Sequence, residues 1–348
     1  MKRTVCILLG LILAFTLSGC GEFYRPVRYS ETIIDSFDTI TTVIAYDNKK
    51  TDFENSLNYV ESELKRLDGL FDIYNEHEGV NNLCTLNKTA AKAPVKVEKD
   101  IIELLKYSKQ AYNDSGGRVN ICLGAVLEIW HNAREAALEN PESAKLPDTA
   151  ELEKASRHTD INDLVIDEKN STVFFKDKAL RLDVGAVAKG FAAQKLAEFI
   201  EKNGLWQDFM LNLGGNVVTR GYKGDGATKW TIQIENPNRE KNDALETLNL
   251  TNLCVVTSGD YQRYFTYNGK NYCHIIDPET LMPAEYFSGV TVICKDSALA
   301  DRLSTQLFII PLSEGKRIVE GLDGVEAVWV DKSFNVSYSS GFEQYKML

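Results

Sequence analysis

The chain has 348 residues, with 39 Lys and Arg against 50 Asp and Glu, a formal net charge of −11. That balance argues against a basic nucleic-acid-binding surface, so no nucleic-acid partner is expected. Hydrophobic residues make up 44% and charged residues 26%, with 8 Pro, 23 Gly and no long biased tract; collagen-like, linker-rich and disordered classes are excluded, and a sizeable core is within reach.

Lys2 and Arg3 precede an uncharged, mostly apolar stretch from Val5 to Leu17, then Ser18-Gly19-Cys20. This layout predicts a secretion signal over residues 1–19, too short for a spanning helix, which needs about 20 apolar residues. The ending LSGC resembles a bacterial lipobox. It implies a lipid on Cys20 that holds the protein at the extracytoplasmic face of a bacterial membrane, with residues 20–30 as a tether and 31–348 as the working domain. A plain signal peptide or uncleaved anchor is the alternative. Of seven cysteines, Cys84, Cys122, Cys254, Cys273 and Cys294 remain beyond Cys20. They form no CxxC pair, so neither a disulfide framework nor a zinc knuckle is expected.

From Ile33 to Tyr46, threonines and β-branched residues predict a strand or hairpin. Phe53, Leu57, Val60, Leu64 and Leu67 recur at three- and four-residue spacing, the apolar face of a helix. A second helix is predicted from Asp100 to Tyr112, stopped by Gly116-Gly117. Residues 131–150, rich in Ala, Glu and Pro, read as an exposed excursion. Val165-Ile166, Val173 to Phe175 and Leu180 to Leu182 read as strands of a meander. Lys189 to Ile200 is helical by pattern. Strands follow at Phe209 to Leu213, Trp230 to Glu235 and Leu253 to Thr257, then a hairpin whose arms flank Asn268-Gly269. The segment after Ser297 reads as helix and Val325 to Val330 as strand. Without a regular βαβ rhythm, the expected class is α+β: mixed, largely antiparallel sheets with flanking helices, in one large domain or two closely packed lobes.

Several segments carry candidate chemistry. In Asp183-Val184-Gly185-Ala186-Val187-Ala188-Lys189-Gly190, small residues ahead of a helix would admit a phosphate, with Lys189 as a compact positive charge. By itself this is also an everyday turn, and no GxGxxG or GxxxxGK[ST] accompanies it. Leu213-Gly214-Gly215-Asn216 reads first as a hairpin corner. His274, one of four histidines, is placed for phosphate binding or proton transfer, or serves the structure. Asp301 and Thr305 are four apart and share one face of a helix; their oxygens suit magnesium completed by substrate phosphate and water. A surface acid and a threonine bonded to its own helix would look the same.

Taken in order, FDTITT at 37–42, SGG at 115–117, LDVGAVAKGFA at 182–192, LNLGGN at 211–216, SGDYQRYF at 258–265, HIIDP at 274–278 and ALADRLSTQLF at 298–308 resemble the FAD:protein flavin mononucleotide transferase family, formerly described as thiamine-biosynthesis lipoproteins. The resemblance implies Mg2+-dependent cleavage of FAD, transfer of FMN to a Thr or Ser of an acceptor flavoprotein, membership of that acceptor in a membrane redox system, and release of AMP. It places Asp183 and Lys189 in the FAD site. It makes the Ala186 carbonyl, Asp301 and Thr305 the magnesium ligands, and His274, Ile275 and the stretch Arg118, Val119, Asn120 nucleotide contacts. Lys189, His274 and Asp301 are the expected catalytic residues; the general base stays open between His274 and Asp277, and Tyr74 is a candidate border for the isoalloxazine. Two departures stand out: Asn120 where relatives often have Asp, and Leu281-Met282 where they commonly have a glycine-containing turn. Asp225-Gly226-Ala227-Thr228 reads as a hairpin turn, not a flavinylation target. An FAD pyrophosphatase and a non-catalytic flavin-binding lipoprotein are the rival readings.

Overall fold

The computed structural model describes residues 26–241 and 243–347. The signal segment and Cys20 lie outside them. Strand β1 (Val27–Ser36) begins within the stretch expected to be tether and pairs antiparallel with β2 (Thr39–Asp47). Helix α1 (Lys50–Phe71) follows, with Phe53, Leu57, Val60, Leu64 and Leu67 all buried. Full burial of each such side chain contributes about 1.5–3 kcal/mol, so tertiary packing holds this helix in place. Next come α2 (Leu83–Thr89), β3 (Val95–Lys96), α3 (Lys99–Asp114), α4 (Gly124–Glu139), α5 (Thr149–Ser156), β4 (Leu164–Asp167) and β5 (Thr172–Phe175). In α3, Ile101, Leu104 and Leu105 face inward as their spacing requires.

Helix α6 (Ala188–Lys202) leads to β6 (Phe209–Leu213), β7 (Asn216–Arg220), β8 (Trp230–Glu235), β9 (Ala244–Leu250), β10 (Cys254–Gly259), β11 (Tyr264–Tyr267), β12 (Lys270–Cys273) and β13 (Phe287–Cys294). Helices α7 (Ser297–Phe308) and α8 (Leu312–Glu320) and strands β14 (Glu326–Asp331) and β15 (Val336–Tyr338) follow, and three short 3-10 turns lie at Pro141–Ser143, Ile161–Asp163 and Phe342–Tyr345. Eight strands form one antiparallel sheet in the order β1-β2-β6-β7-β10-β13-β14-β15. One face is covered by α1, α6 and α7, and the other by the β8–β9 hairpin, whose residues alternate buried and exposed along β8. The class is α+β with largely antiparallel sheets, as expected.

One local expectation is corrected, and two elements were not anticipated. Within residues 131–150, read as an exposed excursion, Ala137 is the one buried residue; 131–139 complete α4, whose Val126, Trp130 and Ala137 join Phe265 of the β11–β12 hairpin in one apolar cluster. Leu180 to Leu182 is not a strand; Arg181 makes only an isolated bridge to Leu123, and the third strand of the small sheet is β3. Strand β13 escaped the sequence reading because all eight of its residues are buried, Ser288 and Thr291 among them, so no alternation of apolar and polar residues marks a buried and an exposed face. The Asn268-Gly269 turn has φ of 49° and 76°, the two left-handed residues that a type I′ hairpin needs. Asp225-Gly226-Ala227-Thr228 is a turn, with Asp225 Oδ1 accepting from the Ala227 and Thr228 amides. Among the described residues no helix is long and apolar enough to cross a membrane.

Candidate active site

Loops from distant parts of the chain meet at one side of the large sheet. The β1–β2 turn holds Phe37 and Asp38 at φ of 55° and 50°, and the Asp68 carboxylate fixes it by accepting the Phe37 amide at 2.8 Å. Gly214 abuts this turn so closely that a Cβ would lie 2.3 Å from Thr39 Oγ1, and its φ of 53° also favours glycine. The LGGN segment is thus both the β6–β7 corner and a neighbour of FDTITT. Arg263, after β10, donates to the Asp38 carbonyl at 3.3 Å and receives the His274 amide on its own carbonyl at 3.0 Å.

The loop ahead of α6 is built around Asp183. Its amide donates to the Ile121 carbonyl at 2.8 Å, and its Oδ1 accepts the Gly185 amide at 2.8 Å. At the start of α6 the backbone ladder changes partner. Phe191 N–H donates to the Val187 carbonyl at 3.0 Å, whereas Gly190 N–H donates to Asp301 Oδ2 at 2.7 Å. The Ala186 carbonyl, four residues before Gly190, therefore has no helical partner among the described hydrogen bonds. Gly190 permits this approach: a Cβ there would lie 2.3 Å from Asp301 Cβ and 2.4 Å from the Ser297 carbonyl.

Helix α7 is capped by Asp296, whose side chain accepts the Leu299 amide at 2.9 Å, and is pinned to β10 by the Ser258–Ser304 hydroxyl pair at 2.8 Å. It presents Asp301 and Thr305 one turn apart on one face. A carboxylate, a hydroxyl and an unpaired carbonyl are oxygen donors of the kind a hard cation such as Mg2+ takes, alongside phosphate and water. Among the described residues there is no cluster of three His, Cys, Asp or Glu side chains suited to a metal.

The electrostatics centre on cations without full partners. Burial pushes the carboxyls of Asp301 and Asp183 above the usual range. Lys189 opposes that rise at both, aided by the Gly190 amide at Asp301 and by the Gly185 amide and Arg134 at Asp183. Burial and then the fields of Lys189, Arg263 and Arg134 push His274 down to about 3. The Tyr74 hydroxyl is raised by burial and Asp183. Neither Lys189 nor Arg263 forms an ion pair among the described residues. Asp38, Tyr74, His131, Arg134 and Arg263 line a cleft of about 810 Å³, a volume suited to a sizeable organic ligand.

Lys189, Asp183, Asp301 and His274 are thus brought into one electrostatic neighbourhood, with Ala186 and Thr305 beside them in the chain. The side chains of the other expected contacts make the following partners within the fold. Arg118 binds Asp277 Oδ1 at 3.2 Å and Glu279 Oε2 at 2.8 Å, clamping the HIIDP turn. Val119 is buried, and the Asn120 side chain bonds the Thr159 carbonyl and the Cys122 amide. The Ile275 side chain packs in the core while its carbonyl accepts the Ala284 amide. Leu281 has φ of 59°, so the turn keeps a left-handed residue where relatives were expected to use glycine. Sequence reasoning missed His131 and Arg134; the helical spacing of Val126, Trp130 and Ala137 was the available signal.

A family model described as the ApbE family matches residues 37–329. The chain is 27% identical over 270 residues to the FAD:protein FMN transferase of Klebsiella pneumoniae strain 342, covering 77% of this chain and 81% of that one. It is 27% identical over 351 residues to the enzyme of the same name from Treponema pallidum strain Nichols, covering 97% and 92%. Among solved structures, the Thermotoga maritima ApbE protein superposes with a TM-score of 0.80 at 24% identity, covering 92% of this chain and 100% of that one. The apo flavinyl transferase ApbE of Pseudomonas stutzeri gives 0.76 at 25%, covering 92% and 98%.

Proposed function

The chain belongs to the ApbE family, and from that premise we propose that it is an FAD:protein FMN transferase that uses Mg2+ and modifies a Thr or Ser hydroxyl of an extracytoplasmic flavoprotein, a component of a membrane redox system. The observation that carries the reading is the Gly190 to Asp301 hydrogen bond. It joins the loop proposed to receive the diphosphate to the helix proposed to hold the cation, leaving the Ala186 carbonyl free beside them.

The Ala186 carbonyl, the Asp301 carboxylate and the Thr305 hydroxyl would hold Mg2+, which when bound neutralises phosphate charge. Lys189 supplies a fixed positive charge toward the diphosphate as negative charge grows on the AMP oxygen. The acceptor oxygen bonds to the FMN phosphorus, the bond to the AMP phosphate oxygen breaks, and the acceptor proton leaves to base or solvent. Of the two candidate bases, Asp277 is tied to Arg118 and to the Glu279 amide, whereas His274 stays neutral and retains a lone pair. His274 is therefore favoured. Asp183 lies near Lys189 and orders the loop through the Gly185 amide. Arg118, Val119, Asn120 and Ile275 are the further proposed nucleotide contacts. Lipidation of Cys20 would place this chemistry at the extracytoplasmic membrane face.

Incubating the protein with FAD, Mg2+ and a candidate acceptor tests the reading. An FMN-sized mass gain on the acceptor with AMP release supports transfer. Free FMN and AMP without that gain would make it a pyrophosphatase, and intact FAD would leave a binding protein.

A further inference from the structure

Helix α4 carries a cation that no motif marked. Arg134 has a side chain only 15% exposed, and it lines the cleft, yet its charge is weakly matched. Its one carboxylate neighbour, Glu135, lies 3.3 Å away and is 51% exposed, so that pair contributes little. Its short hydrogen bond is from Nη2 to His131 Nδ1, at 2.8 Å. Arginine can only donate, so Nδ1 is the acceptor and the His131 proton sits on Nε2. That ring lies against Tyr74, with centroids 5.4 Å apart and planes inclined by 35°. The guanidinium is thereby oriented, while Nη1 has no acceptor among the described residues.

The other cations nearby are placed differently: Arg263 lines the same cleft and donates to the Asp38 carbonyl. Arg118 is neutralised by Asp277 and Glu279. Lys189 acts on two carboxylates, Asp183 and Asp301. An ordered, sheltered guanidinium with an unused donor edge is suited to phosphate oxygen, which it can grip through two N–H groups.

Resting on the transferase reading, we propose that Arg134 binds a phosphate oxygen of the dinucleotide and makes the cleft selective for charged flavin nucleotides over uncharged flavin. Arg134 lines the cleft together with Tyr74 and Arg263, and its positive field is felt at Asp183 and His274. Neutral riboflavin gains nothing from this contact.

The test is equilibrium binding of FAD and of riboflavin to the full protein in a metal chelator, for wild type, Arg134→Gln and Arg134→Lys. Loss of one charge-assisted hydrogen bond predicts FAD binding weakened by about 10- to 100-fold in Arg134→Gln. Riboflavin binding should be unchanged, with part of the FAD loss recovered in Arg134→Lys. Equal weakening of both flavins would overturn the proposal and leave Arg134 as a mere support for His131 and Tyr74. Unchanged FAD binding would overturn it too. A wild-type protein that binds no FAD would instead remove the transferase reading, and this inference with it.

Discussion

The Gly190 amide donates to the Asp301 carboxylate across 2.7 Å, joining residues 111 positions apart in the chain. One hydrogen bond thus holds the first turn of α6 against α7 and takes away the partner that the Ala186 carbonyl would have in a regular helix. Packing and candidate metal site share a single contact.

Gly190→Ala therefore tests both. The added Cβ would meet Asp301 Cβ at 2.3 Å and the Ser297 carbonyl at 2.4 Å, and the backbone atom cannot rotate away. Overpacking of this kind costs about 1–3 kcal/mol. Urea unfolding should show that loss, and Mg2+ should stabilise the variant less than wild type. A variant of wild-type stability and Mg2+ response would mean that the helices do not need this approach.

Asp301→Asn separates charge from packing. Burial raises the Asp301 carboxyl, so without metal the ionised form opposes folding, and this contribution worsens as pH rises through the elevated value. Asn keeps an oxygen for the Gly190 amide and removes the charge. At pH 7 in chelator the variant should be more stable than wild type by about 1 kcal/mol, and Mg2+ should no longer raise its melting temperature. Turnover should fall by about 100-fold or more. Thermal unfolding with and without Mg2+, alongside AMP release, reads all three.

Much of the scaffold was legible in the chain. The apolar stripe of α1, the Asn-Gly turn at 268–269 and the glycines ahead of α6 each carry a local physical signal. What was hidden depends on tertiary context. Strand β13 lost its alternation because both of its faces are covered. Helix α4 was masked by an Ala- and Glu-rich composition that suits an exposed segment equally well. Arg118 stands beside a glycine turn that suggests ligand binding, but its acidic partners lie about 160 positions away and only the fold brings them together. The oxygen set of Ala186, Asp301 and Thr305 includes a carbonyl, which no side-chain pattern can announce.

Arg118→Leu should loosen the turn that carries His274. The Glu279 arm is 64% exposed and contributes little, whereas the Asp277 carboxylate is only 13% exposed and would be left without its cation. A loss of about 1–3 kcal/mol is expected. Amide hydrogen exchange should show faster exchange over residues 274–284, with α1 unaffected. Uniform loss of protection would point instead to global destabilisation.

His274 provides the sharpest prediction on pH. Its folded value is pushed down to about 3, against an ordinary value near 6.5. Between those values the unfolded chain binds the proton more strongly, so His274 contributes stability that is present above about pH 6.5 and is lost as pH falls toward 3. The ring should stay neutral in the ligand-free protein from pH 8 to pH 5. An anionic nucleotide placed among Lys189, Arg263 and Arg134 would offset the cationic fields and move the value back up, which would make the imidazole a better proton acceptor when substrate is bound than when the site is empty. Histidine ring NMR of the metal-free protein, with and without FAD, checks this: the His274 signal should be flat with pH alone and shift upward in pKa with FAD. A ring that titrates near 6.5 in the free protein would mean that it is neither desolvated nor faced by those three cations.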